Sequence, residues 1–389
     1  MKNSPEDKTD NPYPLSHTPI IRSAGLTKSE KYLVDLAEKS FLNLWSYPNL
    51  YKQKGKELCD LLVVFGDHVL VFSDKTIAYP TTPDQNINWK RWYRSAIKKS
   101  ADQVKGAIRW LEKFPNEIYM DAACQNEFQL PLPSKDRRRV TGIIVALGAK
   151  QPCLNFFKEG RGSLKIIPSL NDDSQPFSVG DINPDGGFIH LFDDVTLSLV
   201  LKELDTITDF TSYLDKKESF LRSKNFKIVH GEENLLASYI SFTNSDGEHD
   251  FPDKYRDEIP QGIFDEILTN PSYHLKQQAN EDSYLWDGLI TGFTTPIING
   301  TIISEHGLPE HEESVRYMAA ENRVERRLLG RSIKEAIEKG KNLDRLARRI
   351  LPGEERKAGG TGYVFLTLAY PDIEPKGGYE QYSDLPPVN

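Results

Sequence analysis

Cysteine is scarce in this chain, and its distribution excludes two common ways of stabilising a fold. The 389 residues contain three cysteines, Cys59, Cys124 and Cys153, which lie far apart and are odd in number. Disulfide frameworks use even sets of cysteines, and zinc sites use closely spaced cysteine or histidine pairs. The sequence therefore predicts neither a disulfide-bonded fold nor a zinc domain.

Long apolar segments are also missing. No run approaches the roughly 20 apolar residues that a membrane-spanning helix needs. The N-terminal sequence MKNSPEDKTDNPYP is polar and lacks the apolar stretch of a signal peptide, so residues 1–25 are predicted to be a flexible lead-in. These features predict a cytoplasmic protein with no membrane partner.

Basic residues do not dominate the composition, because the formal net charge is −8. This balance excludes a protein that is basic over its whole surface, although a local basic patch can still steer a polyanion. The chain length favours two domains, since a single core stops growing beyond roughly 250–300 residues. We predict a first domain over residues 26–224 and an α+β domain over residues 225–389.

The stretch from residue 55 to residue 75 is predicted to be a β-hairpin. Two apolar runs, residues 61–65 and 69–72, flank the turn-forming pair Gly66-Asp67. Runs that are apolar on both faces indicate strands buried inside a sheet. Charged residues nevertheless stand where the hairpin enters and leaves the sheet: Glu57, Asp60, Asp74 and Lys75. Because a buried charge is costly without a partner, we expect these charges to be paired or functional.

Helices are predicted on both sides of the hairpin. Thr27 and Glu30 have the spacing of a capping box, and the helix that they start is predicted to reach about Trp45. A long helix is predicted over residues 89–113. At about 100° per residue its basic side chains form one exposed stripe: Arg91, Arg94, Lys98, Lys105 and Arg109. Gln103 lies on the opposite face, toward the sheet.

With a further strand predicted at residues 140–147, the order is α-β-β-α-β. This order resembles the core of the PD-(D/E)XK nuclease superfamily, which includes restriction endonucleases and RecB-like nucleases. That family has an aspartate on one strand and, on the next, an acid two positions before a lysine. Asp60 matches the aspartate, Lys75 matches the lysine, and Ser73 stands where the family has the acid. Gln103 is similar to the glutamine of RecB-like members. The resemblance covers residues 26–149 and implies an α/β restriction-endonuclease-like core with a mixed sheet.

The resemblance implies a metal-dependent nuclease. Asp60 would bind Mg²⁺, or Mn²⁺ in its place, and Glu57 and Glu30 are the further candidate ligands. Lys75 would act on the attacking water or the phosphate, with Gln103 in support and Ser73 at the place of the missing acid. The basic stripe would contact the phosphate backbone without reading sequence. DNA is the implied substrate, and restriction or phage defence is the implied biological role.

Each of these residues also has a structural interpretation. Asp60 and Lys75 could form an ion pair across the hairpin, Glu30 could serve only as a capping residue, and Gln103 could be a buried hydrogen-bonding side chain. The serine at position 73 favours a second hypothesis, a catalytically inactive subunit that binds nucleic acid or protein in a larger assembly. Residues 225–389 resemble no family and are predicted to select substrate, bind a protein partner or form a homo-oligomer.

Overall fold

The computed structural model describes residues 17–23, 27–223, 226–255, 257–341, 347–351 and 362–367. Most of the predicted lead-in lies outside these residues, so its flexibility stays a prediction. Within the described ranges no helix is both long enough and apolar enough to cross a membrane. The fold is α/β and is built around a mixed five-stranded sheet.

The central sheet has the strand order β1-β2-β3-β4-β7. The strands in the described ranges are β1 (Ser46–Gln53), β2 (Lys56–Phe65), β3 (His68–Thr76), β4 (Arg139–Leu147), β5 (Lys165–Ile166), β6 (Ser178–Val179), β7 (Ile189–Asp193), β8 (Ile228–Val229), β9 (Glu258–Ile259), β10 (Ala347–Leu351) and β11 (Tyr363–Thr367). β2 is antiparallel to both β1 and β3, whereas β4 is parallel to both β3 and β7. The sheet is therefore mixed, as the sequence predicts.

The predicted hairpin is confirmed and forms the middle of this sheet. Leu61 pairs with Phe72 and Phe65 pairs with His68, so Gly66 and Asp67 form the connecting turn. Gly66 has a φ of +55°, a left-handed conformation that glycine adopts without steric cost. Each strand of the hairpin has a further strand beside it, which explains why the apolar runs are buried on both faces.

The helices follow the chain as α1 (Lys28–Phe41), α2 (Gln85–Tyr93), α3 (Lys99–Lys113), α4 (Lys150–Phe157), α5 (Thr196–Glu203), α6 (Ile207–Ser223), α7 (Glu232–Ile240), α8 (Ile263–Thr269), α9 (Pro271–Asn280), α10 (Tyr284–Ile298), α11 (Leu308–Ala319) and α12 (Arg323–Lys341). A π-helical turn, Arg94–Lys98, joins α2 to α3. The long basic helix begins at Gln85, before the predicted start, because the Asp84 side chain accepts hydrogen bonds from the first backbone N–H groups.

The prediction for residues 42–53 is wrong. α1 ends at Phe41 instead of reaching Trp45, and the residues that suggested a terminating turn form strand β1. Pro48 and Asn49 are typical of turns, but β1 is an edge strand, where proline is tolerated. The order of elements is therefore α-β-β-β-α-β, with one strand more than predicted.

α1 and α3 pack against opposite faces of the central sheet. On one face, the ring of Phe41 in α1 lies 6.4 Å from that of Phe72 in β3. On the other, Gly142 of β4 lies beneath Val104 of α3, so closely that a Cβ atom would be 2.5 Å from Val104 Cγ1. Because side chains alternate along a strand, the residues of β3 divide between the two helices: Phe72 and Asp74 face α1, whereas Val71, Ser73 and Lys75 face α3.

Both a sheet and the hydrophobic core cross the predicted domain boundary at residue 224. The second sheet has the order β6-β5-β8-β9 and joins strands from either side of the boundary. One cluster of buried apolar residues extends from Ile20 to Ile333. The described chain after β9 is helical up to Lys341, and β10 then pairs with β11. The division into two domains stays a prediction.

Buried ion pairs attach the arginine-rich helix α12 to its neighbours. Arg323 donates to Asp205 and Asp287, and Arg326 donates to Asp287, each at 2.7 Å. Arg326 also donates to the carbonyl oxygens of residues 319 and 321 at the end of α11. These two arginines therefore attach α12 to α10, to the end of α11 and to Asp205, which precedes α6.

Candidate functional site

Gln103 connects two of the predicted site residues at the open end of the hairpin. The Ser73 hydroxyl donates to Gln103 Oε1 at 3.2 Å, and Gln103 Nε2 donates to Asp60 Oδ1 at 3.5 Å, a long and weak hydrogen bond. Asp60 and Ser73 are both buried. The structure thus places Asp60, Ser73 and Gln103 together on the α3 face of the sheet.

Lys75 joins this group, because it lies two residues after Ser73 on β3 and therefore faces the same way. Burial raises the pKa of Asp60, and the backbone N–H of Asp74 and the charge of Lys75 partly offset this rise. Within the described residues Lys75 does not form a direct ion pair with Asp60. The two side chains are close enough to interact electrostatically, but the predicted alternative of a structural ion pair is not what the geometry shows.

Among the described residues, neither of the buried carboxylate oxygens of Asp74 has a hydrogen-bond partner. Its backbone N–H donates to Asp60 Oδ2 at 2.6 Å, which fixes the Asp60 carboxylate beside it. Burial raises the pKa of Asp74 to about 6; the nearby Ser29 hydroxyl lowers it without a well-formed hydrogen bond, and Asp60 and Glu30 raise it further. A buried carboxyl group in this position is therefore favoured in its protonated form, and its ionised form needs a cation beside it.

A register shift brings Glu57 toward the same group. Leu50 of β1 pairs with Cys59, but Tyr51 pairs with Glu57, so Leu58 is skipped. Such a bulge breaks the alternation that would place Glu57 and Asp60 on opposite faces. Burial first, and then the charge of Asp60, raises the pKa of Glu57. Glu57 is thus an exposed carboxylate at the edge of the Asp60 site.

Glu30 approaches the site from α1 and also caps that helix. The predicted capping box with Thr27 is confirmed. Glu30 Oε2 accepts from the Thr27 N–H at 3.1 Å and from Asn49 Nδ2 at 3.2 Å. Burial is the main cause of the raised pKa of Asp60 and of Asp74, and the charge of Glu30 adds to both. The capping interpretation is therefore correct, and it does not remove Glu30 from the electrostatic neighbourhood of the site.

The name carboxylate cluster is used below for Glu30, Glu57, Asp60 and Asp74. Carboxylate oxygens are the ligands that Mg²⁺ prefers, and the two unpartnered oxygens of Asp74 fit a divalent cation chemically. In the described ranges, no group of three or more His, Cys, Asp or Glu side chains is arranged to hold a metal ion. Magnesium commonly uses one or two protein carboxylates together with water and phosphate oxygens. The cluster alone therefore does not form a complete metal site, and a cation here would need water or substrate oxygens to complete its coordination.

The predicted basic stripe lies along the outer side of α2 and α3. Arg91, Arg94, Lys98 and Arg109 are exposed and Lys105 is half-buried. Arg94, Lys98 and Lys105 line a 230 Å³ cavity together with Asp172 and Asp173. Part of the stripe therefore faces an acidic loop, whereas Arg91 and Arg109 lie outside this cavity.

Asn49 and Ser29 are the site residues that sequence reasoning missed. Asn49 is buried on β1 and donates to Glu30, and Ser29 lies beside Asp74. The position of Asn49 depends on β1, and Pro48 and Asn49 disguised this strand as a turn. Tyr47 and Tyr51, which favour strands, were the signal that could have revealed it.

Comparison with known proteins adds no relative. No protein-family model, no curated protein and no solved structure matches the chain. The resemblance to the PD-(D/E)XK superfamily therefore depends on the hairpin and α3 residues alone.

Proposed function

We propose that this protein is a metal-dependent nuclease that hydrolyses phosphodiester bonds in DNA at the carboxylate cluster. The observation that carries this proposal is the arrangement of Asp60 and Asp74. The Asp74 backbone N–H donates to Asp60, while both Asp74 carboxylate oxygens are buried without hydrogen-bond partners in the part of the chain that the structure describes. A divalent cation beside them would favour their ionised forms. Asp74 would then supply the acid that is missing at Ser73 from the end of β3, where its side chain leaves the strand on the α1 face and interacts electrostatically with Asp60 and Glu30.

The residues around the cluster have distinct roles in this proposal. Asp60 would hold Mg²⁺ or Mn²⁺ at the open end of the hairpin, and Asp74 or Glu30 from the α1 side, or Glu57, would supply a further ligand. The ion would neutralise phosphate charge and lower the pKa of a bound water. Lys75 donates to the phosphate or orients the attacking water, and Gln103 holds Asp60 in place. The basic stripe attracts the phosphate backbone without selecting a sequence.

A catalytically inactive nucleic-acid-binding subunit is the competing function. The observation that favours it is the neutral contact between Ser73 and Gln103 at the place of the family acid. The described residues also contain no group of three metal ligands. The two functions differ in whether the cluster binds a divalent cation and whether DNA is cut.

Cleavage assays on plasmid and single-stranded DNA with Mg²⁺, Mn²⁺ or EDTA test the nuclease directly. We expect cutting only with metal, and a loss of roughly 100-fold or more in Asp60→Asn and in Lys75→Met. Asp35→Asn and Lys52→Met change charges on α1 and β1 outside the cluster and should cut like the wild type. Cutting that persists in both site variants would remove the assignment.

Thermal unfolding with Mg²⁺ tests the cluster without relying on activity. The raised pKa of Asp74, about 6, means that its ionisation destabilises the folded state progressively as pH rises from 4 toward 6, and fully at pH 8. Mg²⁺ should therefore raise the Tm of the wild type more at pH 8 than at pH 5. Asp74→Asn should lose most of this increase, and Asp35→Asn should keep it. A wild-type Tm that responds to neither Mg²⁺ nor Mn²⁺ would support the inactive subunit.

A further inference from the structure

A cleft of 520 Å³ opens at the carboxyl ends of the parallel strands β3 and β4. The loop after β3 and the start of α2 form one wall with Tyr79 and Gln85, and α4 forms the other with Asn155 and Phe156. The crevice beyond the carboxyl ends of parallel strands is a common ligand site in such sheets. Tyr79 follows Lys75 by four residues, so the chain keeps the two within about 14 Å of each other. The cleft thus lies on the same edge of the sheet as the carboxylate cluster.

The lining of this cleft is aromatic and amide-bearing, and none of the described residues that form it is charged. Phe156 is 45% exposed, and the Tyr79 ring is stacked on Phe177, which fixes its orientation. Gln85 Nε2 donates to the Tyr79 hydroxyl, and Asn155 Oδ1 accepts from Gln151. Among the described contacts, the Gln85 carbonyl oxygen and the Asn155 amino group are left as an acceptor and a donor for a ligand.

A phosphate group would find little to bind inside the cleft. α4 begins at its rim, but the backbone N–H groups of Gly148, Ala149 and Lys150 already donate to the Asp194 carboxylate. The partial positive charge of this helix terminus is therefore neutralised. The opposite wall is held by hydrogen bonds between Asn88 and Thr82. The cleft is a fixed, neutral slot, which suits an uncharged planar group better than an anion.

We propose that this cleft binds an unpaired nucleobase of single-stranded or locally opened DNA. Phe156 stacks on the base, and Gln85 and Asn155 hydrogen-bond to its edge, as aromatic and amide side chains do when they recognise splayed bases. The adjoining phosphates would lie toward Lys75. The inference rests on the proposed nuclease function and adds the class of substrate to it.

Fluorescence anisotropy with a labelled single-stranded DNA oligonucleotide and its matched duplex, both in EDTA, tests the cleft in the full chain without cleavage. Phe156→Ala should weaken single-strand binding about tenfold, because stacking on one aromatic ring contributes that much, and should leave duplex affinity unchanged. Phe156→Trp should retain the affinity. Phe293→Ala removes an exposed phenylalanine from α10 and is the matched control.

The outcomes separate the cleft from the nuclease proposal. The proposal that the cleft binds a base is overturned if Phe156→Ala leaves the affinity for single-stranded DNA unchanged. It is also overturned if the variant loses affinity equally for single-stranded and duplex DNA. A single-strand affinity that falls equally in Phe293→Ala overturns it as well. If single-strand binding depends on Phe156 but the wild type does not cut DNA with any metal, the proposal that the cleft binds a base is supported and the nuclease proposal is rejected. If cutting depends on Asp60 and Lys75 while Phe156→Ala binds single-stranded DNA normally, the nuclease proposal is supported and the proposal that the cleft binds a base is rejected.

Discussion

Buried carboxylates control the expected pH behaviour of this protein at the scale of single residues. Glu233, at the start of α7, is almost fully buried, and one of its oxygens accepts from Ser163 Oγ at 2.7 Å. Its other oxygen has no hydrogen-bond partner in the described ranges. Burial raises the pKa of Glu233 to about 7; the hydrogen bond from Ser163 lowers it, and the charge of Asp193 raises it. Glu233 is therefore a second acid, away from the carboxylate cluster, whose ionisation opposes folding.

Glu233→Gln should make the protein more stable at alkaline pH. The folded-state pKa of Glu233 lies above the unfolded value, so wild-type stability falls as pH rises from about 4.5 to 7. Glutamine keeps the acceptor for Ser163 and removes this loss, which is on the order of 3 kcal/mol at pH 8. Urea denaturation at pH 5 and pH 8 should show the gain at pH 8 alone. Glu266→Gln, exposed on α8, is the control, and a gain of equal size at both pH values would contradict the prediction.

At the scale of secondary-structure elements, the contact between α3 and β4 positions Gln103. Gly142 allows the helix to approach the sheet so closely that an added Cβ atom would meet Val104, the residue after Gln103. The distance between α3 and the sheet is thus set by the absence of a side chain at Gly142. The contacts of Gln103 with Asp60 and Ser73 depend on that distance.

Gly142→Ala should displace α3 and impair both stability and the site. We expect a loss of about 1–3 kcal/mol, the usual cost of overpacking, together with reduced cleavage. Gly106→Ala is a matched control on α3 itself, because an added Cβ atom there meets nothing within 4 Å. Alanine should stabilise that helix position slightly. Chemical denaturation and the cleavage assay measure both effects, and equal behaviour of the two variants would show that the contact does not position Gln103.

At the scale of the whole molecule, the chain is acidic overall but carries a basic stripe on the exposed side of α2 and α3. The net charge is −8, yet the stripe along α2 and α3 is exposed for most of its length. Asp172 and Asp173 face three of its members across a cavity. Arg323 and Arg326 of α12 are engaged in ion pairs with Asp205 and Asp287. Arg91 and Arg109 are therefore the stripe residues that we expect to contact DNA most freely.

Arg91→Ala combined with Arg109→Ala should reduce the salt dependence of DNA binding. Each lost phosphate contact should lower the slope of log affinity against log salt concentration by about 0.9 for duplex DNA, so the pair should lower it by about 1.8. The loss should be similar for unrelated DNA sequences, because these contacts carry no base information. Lys202→Ala with Lys254→Ala, exposed elsewhere, is the control. An unchanged slope in the Arg91/Arg109 variant would exclude the stripe as a DNA surface.

The sequence by itself determined the features that depend on local periodicity and spacing. The period of two along β3 placed Ser73 and Lys75 on one face, and the helical period turned Gln103 toward the sheet. The apolar runs and Gly66-Asp67 specified the hairpin, and the spacing of Thr27 and Glu30 specified the cap. Each of these depends on residues that are close in the chain, so their physical causes can be read without the fold.

Only the tertiary structure decided which distant groups meet. The edge position of β1 overrode the turn preference of Pro48 and brought Asn49 to Glu30. The bulge at Leu58 in β2 turned Glu57 toward Asp60, and the packing of α1 buried Asp74 without a hydrogen-bond partner among the described residues. Strand pairing, bulges and burial depend on contacts between segments far apart in sequence. That is why the sequence could name Asp60, Lys75 and Gln103, but not the acid beside Ser73.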